Sequence, residues 1–230
     1  MFAWLKRILL FGKKAFSSER WEEYDKAKKE ALEKILGSMD NVVGHAFIPF
    51  QAGGPVDMYY FSQHLPGTVF ATMELLKPDG EGPKPNRLGT FELVACSKIK
   101  NTSRTDEPFE ERKKRIEEDN LTPFERINHR LCGIMSTLGH YSFQVALGTG
   151  HTAELPGDDT EDVKYVVFDE FDTGGVPFEI EGRKHGLLLV MEIFPSELRY
   201  AKNNGSYALF EKLKAAGVYP YSDMDRQPVV

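Results

Sequence analysis

Gly186-Leu187-Leu188-Leu189-Val190-Met191 is an unbroken apolar run of strand length, followed by Glu192-Ile193-Phe194. A strand with one wet face alternates apolar and polar residues, so a run apolar at every position belongs in the middle of a sheet covered on both faces. The segments around it supply the sheet and its covers. Upstream, residues 42–48, 56–61, 68–75 and 90–96 are short runs rich in β-branched and aromatic residues, separated by Gly53-Gly54-Pro55, Leu65-Pro66-Gly67 and a Pro-rich stretch over 78–85. No periodic segment between them is long enough for a crossover helix, which predicts an antiparallel or mixed sheet. Further strands are expected at 141–147, 164–168 and 187–194.

Helices account for the rest. Trp21, Tyr24, Ala31, Leu32, Ile35 and Leu36 recur at helical spacing between a serine cap at Ser17 or Ser18 and a stop at Gly37. The charged residues of that segment (Glu22, Glu23, Lys26, Lys28, Lys29, Glu30, Glu33 and Lys34) read as a solvated face. Thr122-Pro123-Phe124-Glu125 carries a capping box with proline at the first helical position, and Phe124, Ile127, Leu131, Ile134, Met135 and Leu138 form its apolar face. Shorter helices are expected over 108–118, 196–202 and 207–216. The pattern predicts an α+β fold, a mixed α/β sandwich whose largely antiparallel or mixed sheet is flanked by helices. One domain is expected over 17–230, preceded by an amphipathic N-terminal segment over 1–16.

The bulk properties narrow the function. The chain has 230 residues, a net charge of −6 and 41% hydrophobic residues. That composition suits a globular fold and speaks against a nucleic-acid binder, which needs a clustered basic face. Two cysteines, Cys96 and Cys132, lie too far apart for a zinc knuckle, and their small number fits a reducing cytoplasmic setting. In the first fourteen residues Lys6 and Arg7 interrupt the apolar run that a signal peptide requires. That segment is expected to dock its apolar face on the domain or a partner, with a membrane surface as the alternative.

Catalytic and cofactor signatures are not found. The histidines lack metal-ligand spacing, and no nucleophile elbow or Cys–His pairing is legible. The glycines of Leu147-Gly148-Thr149-Gly150-His151-Thr152 lack the Lys-Ser/Thr of a phosphate loop and read as a turn. No catalytic residue, cofactor or metal is expected. A hydrolase with dispersed carboxylates is the alternative that sequence leaves open. One electrostatic feature stands out: residues 154–181 hold ten acids against the single base Lys164. Of these, Glu154, Asp158, Asp159, Glu161, Asp162, Asp169, Glu170 and Asp172 are the candidate partner-binding residues, able to steer a basic protein. Equally open are a solubilising role and a scaffold that offers a sheet edge to a peptide.

Several separated phrases carry a family resemblance. Pro55-Val56-Asp57-Met58-Tyr59-Tyr60-Phe61 and Gly67-Thr68-Val69-Phe70-Ala71-Thr72-Met73-Glu74-Leu75 resemble paired strands of the Suppressor of fused family, with Met73-Glu74-Leu75 where that family has Gly-Leu-Ser. Gly89-Thr90-Phe91-Glu92-Leu93-Val94 is similar to its next strand. Leu138-Gly139-His140-Tyr141, Gly150-His151-Thr152, the stretch from Ile193 through Lys202 with Gly205, and Asp223-Met224-Asp225-Arg226 follow in the family's order. The resemblance implies a mixed α/β sandwich and protein binding without catalysis. Bacterial single-domain members of that family are associated with toxin loci, which implies an immunity or antitoxin role against a basic toxin. The transcription-factor role of the eukaryotic members is tied to a further domain and is not expected here.

Overall fold

The computed structural model describes residues 17–103, 109–118, 120–157 and 163–230. The expected N-terminal segment 1–16 and the candidate residues Asp158, Asp159, Glu161 and Asp162 lie outside them. Helix α1 (Ser18–Leu36) leads into β1 (Met39–Gly44), β2 (Met58–Phe61), β3 (Thr68–Ala71) and β4 (Phe91–Ser97). Helices α2 (Phe109–Glu117) and α3 (Pro123–Ser142) follow, then β5 (Thr152–Leu155), β6 (Lys164–Glu170) and a two-stranded ribbon, β7 (Glu179–Ile180) with β8 (Arg183–Lys184). Strand β9 (Gly186–Ile193), α4 (Pro195–Asn204) and α5 (Ser206–Ala215) complete the elements.

Seven strands form one mixed sheet in the order β1-β2-β3-β4-β9-β6-β5. The apolar run is its central strand, parallel to β4 and antiparallel to β6, and every residue of β9 is buried. Its side chains divide by parity. Leu188 and Val190 face α3, where Phe124, Ile127, Leu131, Ile134, Met135 and Leu138 lie, whereas Leu187 and Leu189 face α1. Met191 and Ile193 continue that second face under α4 and α5. The molecule therefore has three layers: α3, the sheet, and α1 with α4 and α5.

The α3 start forms as its sequence requires. Thr122 Oγ1 accepts from the Glu125 N–H at 3.2 Å and the Glu125 carboxylate accepts from the Thr122 N–H at 2.8 Å. Arg115 of α2 pairs with the same Glu125, holding its carboxyl at about 2, well below the usual range.

Three expectations are corrected. Residues 141–147 are not a strand: α3 runs on to Ser142, whose hydroxyl donates to the Gly139 carbonyl, because the helical period of Leu131, Met135, Leu138 and Ser142 outlasts the strand-like spacing of Tyr141, Phe143 and Val145. The strand expected over 68–75 ends at Ala71, where Thr72 turns its hydroxyl onto Glu92 at 2.6 Å. Lys28 is not on the solvated face of α1; it is fully buried.

Candidate functional site

Topology gives the sheet two distinct ends. At one end lie the start of α1 and the connections β1–β2, β3–β4, α3–β5 and β6–β9; at the other lie the α3 start, the β5–β6 connection and the C-terminal tail. The acidic stretch is split between them. Glu154 stands near the tail end of β5, paired with Lys202 of α4 at 2.6 Å. Glu154 faces Tyr165, whereas Asp169 and Glu170 lie four and five residues further along β6, about 13 and 17 Å away, with Asp172 beyond the strand's end. There Asp169 accepts from the Tyr219 hydroxyl, Glu170 pairs with Arg87 at 3.0 Å, and Asp172 accepts from the Gly174 N–H. The eight candidate residues are thus not gathered into one surface. Chain proximity is a poor guide here because β6 spans the full height of the sheet.

At the tail end a groove of about 1160 Å³ opens between α3, the Leu155-Pro156-Gly157 end of β5 and the tail at Asp223, Met224 and Asp225. Ile127, Ile134 and Leu155 give it an apolar floor, and Arg126 and Arg130 line the helix side. The Arg130 guanidinium grips Glu192 of β9 through both carboxylate oxygens, and Arg126 donates to the Leu121 carbonyl. On the tail side Asp223 accepts from the Ser97 hydroxyl and from the Lys98 N–H at 2.8 Å. Beside the groove, β5 is the last strand of the sheet, with no strand on its outer side among the described residues.

Strongly perturbed carboxyls lie elsewhere, beneath α1. Lys28 reaches through the α1 face to the turn after β3, donating to the Met73 carbonyl and, at 2.9 Å, to that of Leu76, with its ammonium 3.7 Å from Glu92. Glu92, also fully buried, accepts from the Thr72 hydroxyl and from the N–H groups of Leu76 and Leu75 at 2.9 and 3.3 Å. The ammonium also lies 5.0 Å from the Tyr24 ring centre. Next to this pair, burial and the charges of Glu92 and Asp57 push the Glu74 carboxyl up to about 8, against the opposing pull of Lys28. Sequence periodicity carried a trace of this network, since Lys28 is four residues from both Tyr24 and Leu32 on the apolar stripe.

The raised Glu74 value has a signed consequence. The unfolded carboxyl ionises near 4.3 while the folded one holds its proton to about 8, so stability is full below the unfolded value and falls as pH rises between the two. Glu74→Gln is expected to flatten this slope, measured as the change in urea midpoint between pH 5 and pH 8.5. An unchanged slope in the variant would show that Glu74 does not titrate in that window.

Several of the histidines and both cysteines are taken up by the fold. The rings of His45, His140 and His185 are hydrogen-bonded to Asp57, the Gly54 carbonyl and Thr90, at 2.9, 2.9 and 2.8 Å. Cys96 lies buried in β4, where burial raises its pKa, and Cys132 lies in α3 with the same direction of shift. Among the described residues no group of three or more His, Cys, Asp or Glu is placed to hold a metal ion.

These features define a class: an α+β domain on a mixed sheet, with its polar clusters bonded into its own framework and its open surfaces formed by a sheet edge and a groove. The sequence profile of the Suppressor of fused protein (SUFU) family matches residues 55–227, and the chain belongs to that family. Its fold is similar to a chain of "the Sufu-Fu complex crystal structure" at a TM-score of 0.57 and 15% identity, covering 90% of this chain and 92% of that one. No curated protein sequence matches the chain. The phrases that carry the family likeness prove to be framework parts. Thr72 and Glu92 meet in the network under α1, Asp223 ties the tail to β4, and Arg226 ties it to Glu197 of α4.

Proposed function

We propose that this chain is a non-enzymatic protein-binding domain that holds a basic partner at the tail end of its sheet. Support comes from one juxtaposition: the outer edge of β5 borders the groove and runs through Pro156 and Gly157 into the acid-rich sequence Asp158-Asp159-Thr160-Glu161-Asp162. A strand edge supplies backbone hydrogen bonds to an extended segment, and the neighbouring acids raise its rate of arrival. Glu154 on β5 belongs to this surface; Asp169, Glu170 and Asp172 do not. The family's neighbour in a Sufu–Fu complex agrees with a protein as the ligand. Within this reading the domain acts as an immunity or antitoxin-type protein, neutralising a basic toxin in the cytoplasm.

Affinity capture from source-cell extract, repeated with Asp158, Asp159 and Asp162 reversed to lysine, tests the proposal. A captured basic protein whose association slows about tenfold on reversal, and slows likewise in high salt, is the expected result. Binding indifferent to both would point to the sheet edge alone as the contact. A captured partner that is harmless when expressed without this chain would remove the toxin assignment.

A further inference from the structure

Glutamates taken out of water in this molecule come with a cation. Glu92 lies beside Lys28, Glu192 is gripped by Arg130, Glu197 by Arg226 and the partly buried Glu125 by Arg115. Glu74, in the turn after β3, is the exception. It is partly buried, but among the described residues no Lys, Arg or His lies within ion-pair distance of it. Its carboxyl has two long hydrogen bonds, from the Tyr59 hydroxyl and the Met73 N–H, each at 3.4 Å. Lys28, the cation whose field reaches it, is already engaged by Glu92 and by the Met73 and Leu76 carbonyls.

The groups around Glu74 are mostly acidic. From α1 comes Asp25, 3.7 Å from the Lys28 ammonium, and from β4 comes Glu92. Just before β2 stands Asp57, whose carboxylate accepts from the Ala46 N–H at 2.7 Å and is bonded to the His45 ring at 2.9 Å. The Tyr59 phenol and the Cys132 thiol of α3 complete the set; burial pushes both up, with Glu74 and Asp57 adding to it, so both stay neutral at neutral pH. An ionised Glu74 is therefore the fourth carboxylate around one ammonium and one imidazole.

The turn that carries Glu74 also holds α1. Thr72 is tied to β4 through the Leu93 carbonyl and Glu92, the Leu75 and Leu76 N–H groups donate to Glu92, and the Met73 and Leu76 carbonyls accept from Lys28. We propose that Glu74 is a pH-sensitive catch: protonated, it lets the turn close on Lys28 and Glu92; deprotonated, it draws the turn outward and frees the Lys28 attachment of α1. Met73, Leu75 and Leu76 are buried on both sides of it, so the carboxylate reaches water only when the turn moves. The closed turn keeps the proton to about 8, whereas a solvated carboxyl gives it up near 4.3. The ratio of open to closed turn therefore rises about tenfold per pH unit between those values and levels off above the upper one. The fall in global stability with pH does not by itself require this local opening, since it arises equally if Glu74 reaches water only when the whole domain unfolds.

Amide hydrogen exchange of the full chain, corrected for the intrinsic base-catalysed rate and repeated in sub-denaturing urea, separates the two. Protection of the Leu75 and Leu76 amides is expected to fall about a hundredfold between pH 5.5 and pH 7.5. It should stay below that of core amides of α3 such as Leu131 and respond little to urea, as a local opening does. In Glu74→Gln, which keeps the shape and the hydrogen bonds without the titration, the same two amides should hold constant protection. The proposal is overturned if their protection in the parent is independent of pH. It is equally overturned if they match Leu131 in both protection and urea response, which is the signature of whole-domain unfolding. Exchange that stays pH-dependent in Glu74→Gln would overturn it by assigning the titration to another group.

Discussion

Replacing Lys28 with methionine is expected to cost about 3–5 kcal/mol of folding stability, because it keeps the volume but strands a buried carboxylate. Burial already pushes the Glu92 carboxyl up against the pull of Lys28; in the variant Glu92 retains its three hydrogen-bond donors but loses the one charge opposing its burial, and the Met73 and Leu76 carbonyls lose their shared donor. Urea denaturation measures the loss. Adding Glu92→Gln, which preserves an acceptor while removing the charge, should recover part of it, giving a coupling of about 1–3 kcal/mol in the double-mutant cycle. A loss below about 1 kcal/mol would show that the pair is dispensable and that α1 is held by its apolar face alone. Since α1 and β1 precede the family-matched stretch, this buried pair joins that stretch to its neighbouring elements through a single side chain.

Arg226→Ala is expected to produce a loss of similar size, about 3–4 kcal/mol, accompanied by release of the tail. Glu197 is fully buried and accepts from both Arg226 amino groups and from the N–H groups of Phe194 and Val229 at 2.9 and 3.0 Å. Burial alone would raise its pKa, but the guanidinium and the two backbone donors outweigh that and hold it below the ordinary value. The sign follows: the stabilisation is present at neutral pH and is lost as pH falls below about 4.3 toward the folded value. Arg226→Ala should therefore unfold earlier at pH 7 and lose less between pH 5 and pH 3 than the parent. Cleavage by carboxypeptidase reports the freed tail. A variant that keeps both its midpoint and its protected tail would refute the anchoring role.

How much of this was legible depended on whether the signal was local. The α3 start could be read because cap, proline and Glu125 lie within four residues of one another, and β9 because an all-apolar run has few other places to go. Strand β5 could not, since Thr152-Ala153-Glu154-Leu155 has no strand character of its own and is extended because β6 pairs with it. Residues 141–147 misled because aromatic and β-branched side chains at alternate positions mimic a strand, while helix continuation was decided by core contacts made a turn earlier. The candidate site was the least legible. Charge counting found the acids, but only strand pairing reveals that Glu154 on β5 stands beside the start of β6 and Glu170 at its far end. Lys28 shows a different limit, since a charged residue on an apolar stripe is a solvated edge unless something distant receives it, and here Glu92 does.

The parallel pairing of β4 with β9 sets the order in which the sheet of this protein can close. Leu93 meets Leu188 across ninety-five positions of sequence, so the centre of the sheet closes only when β9 is in place. Without β9 the sheet is two separate parts, β1–β4 and β5–β6, and contacts this remote in sequence close slowly. Joining the two half-sheets through β9 is therefore the step of folding that brings together the most distant parts of the sequence.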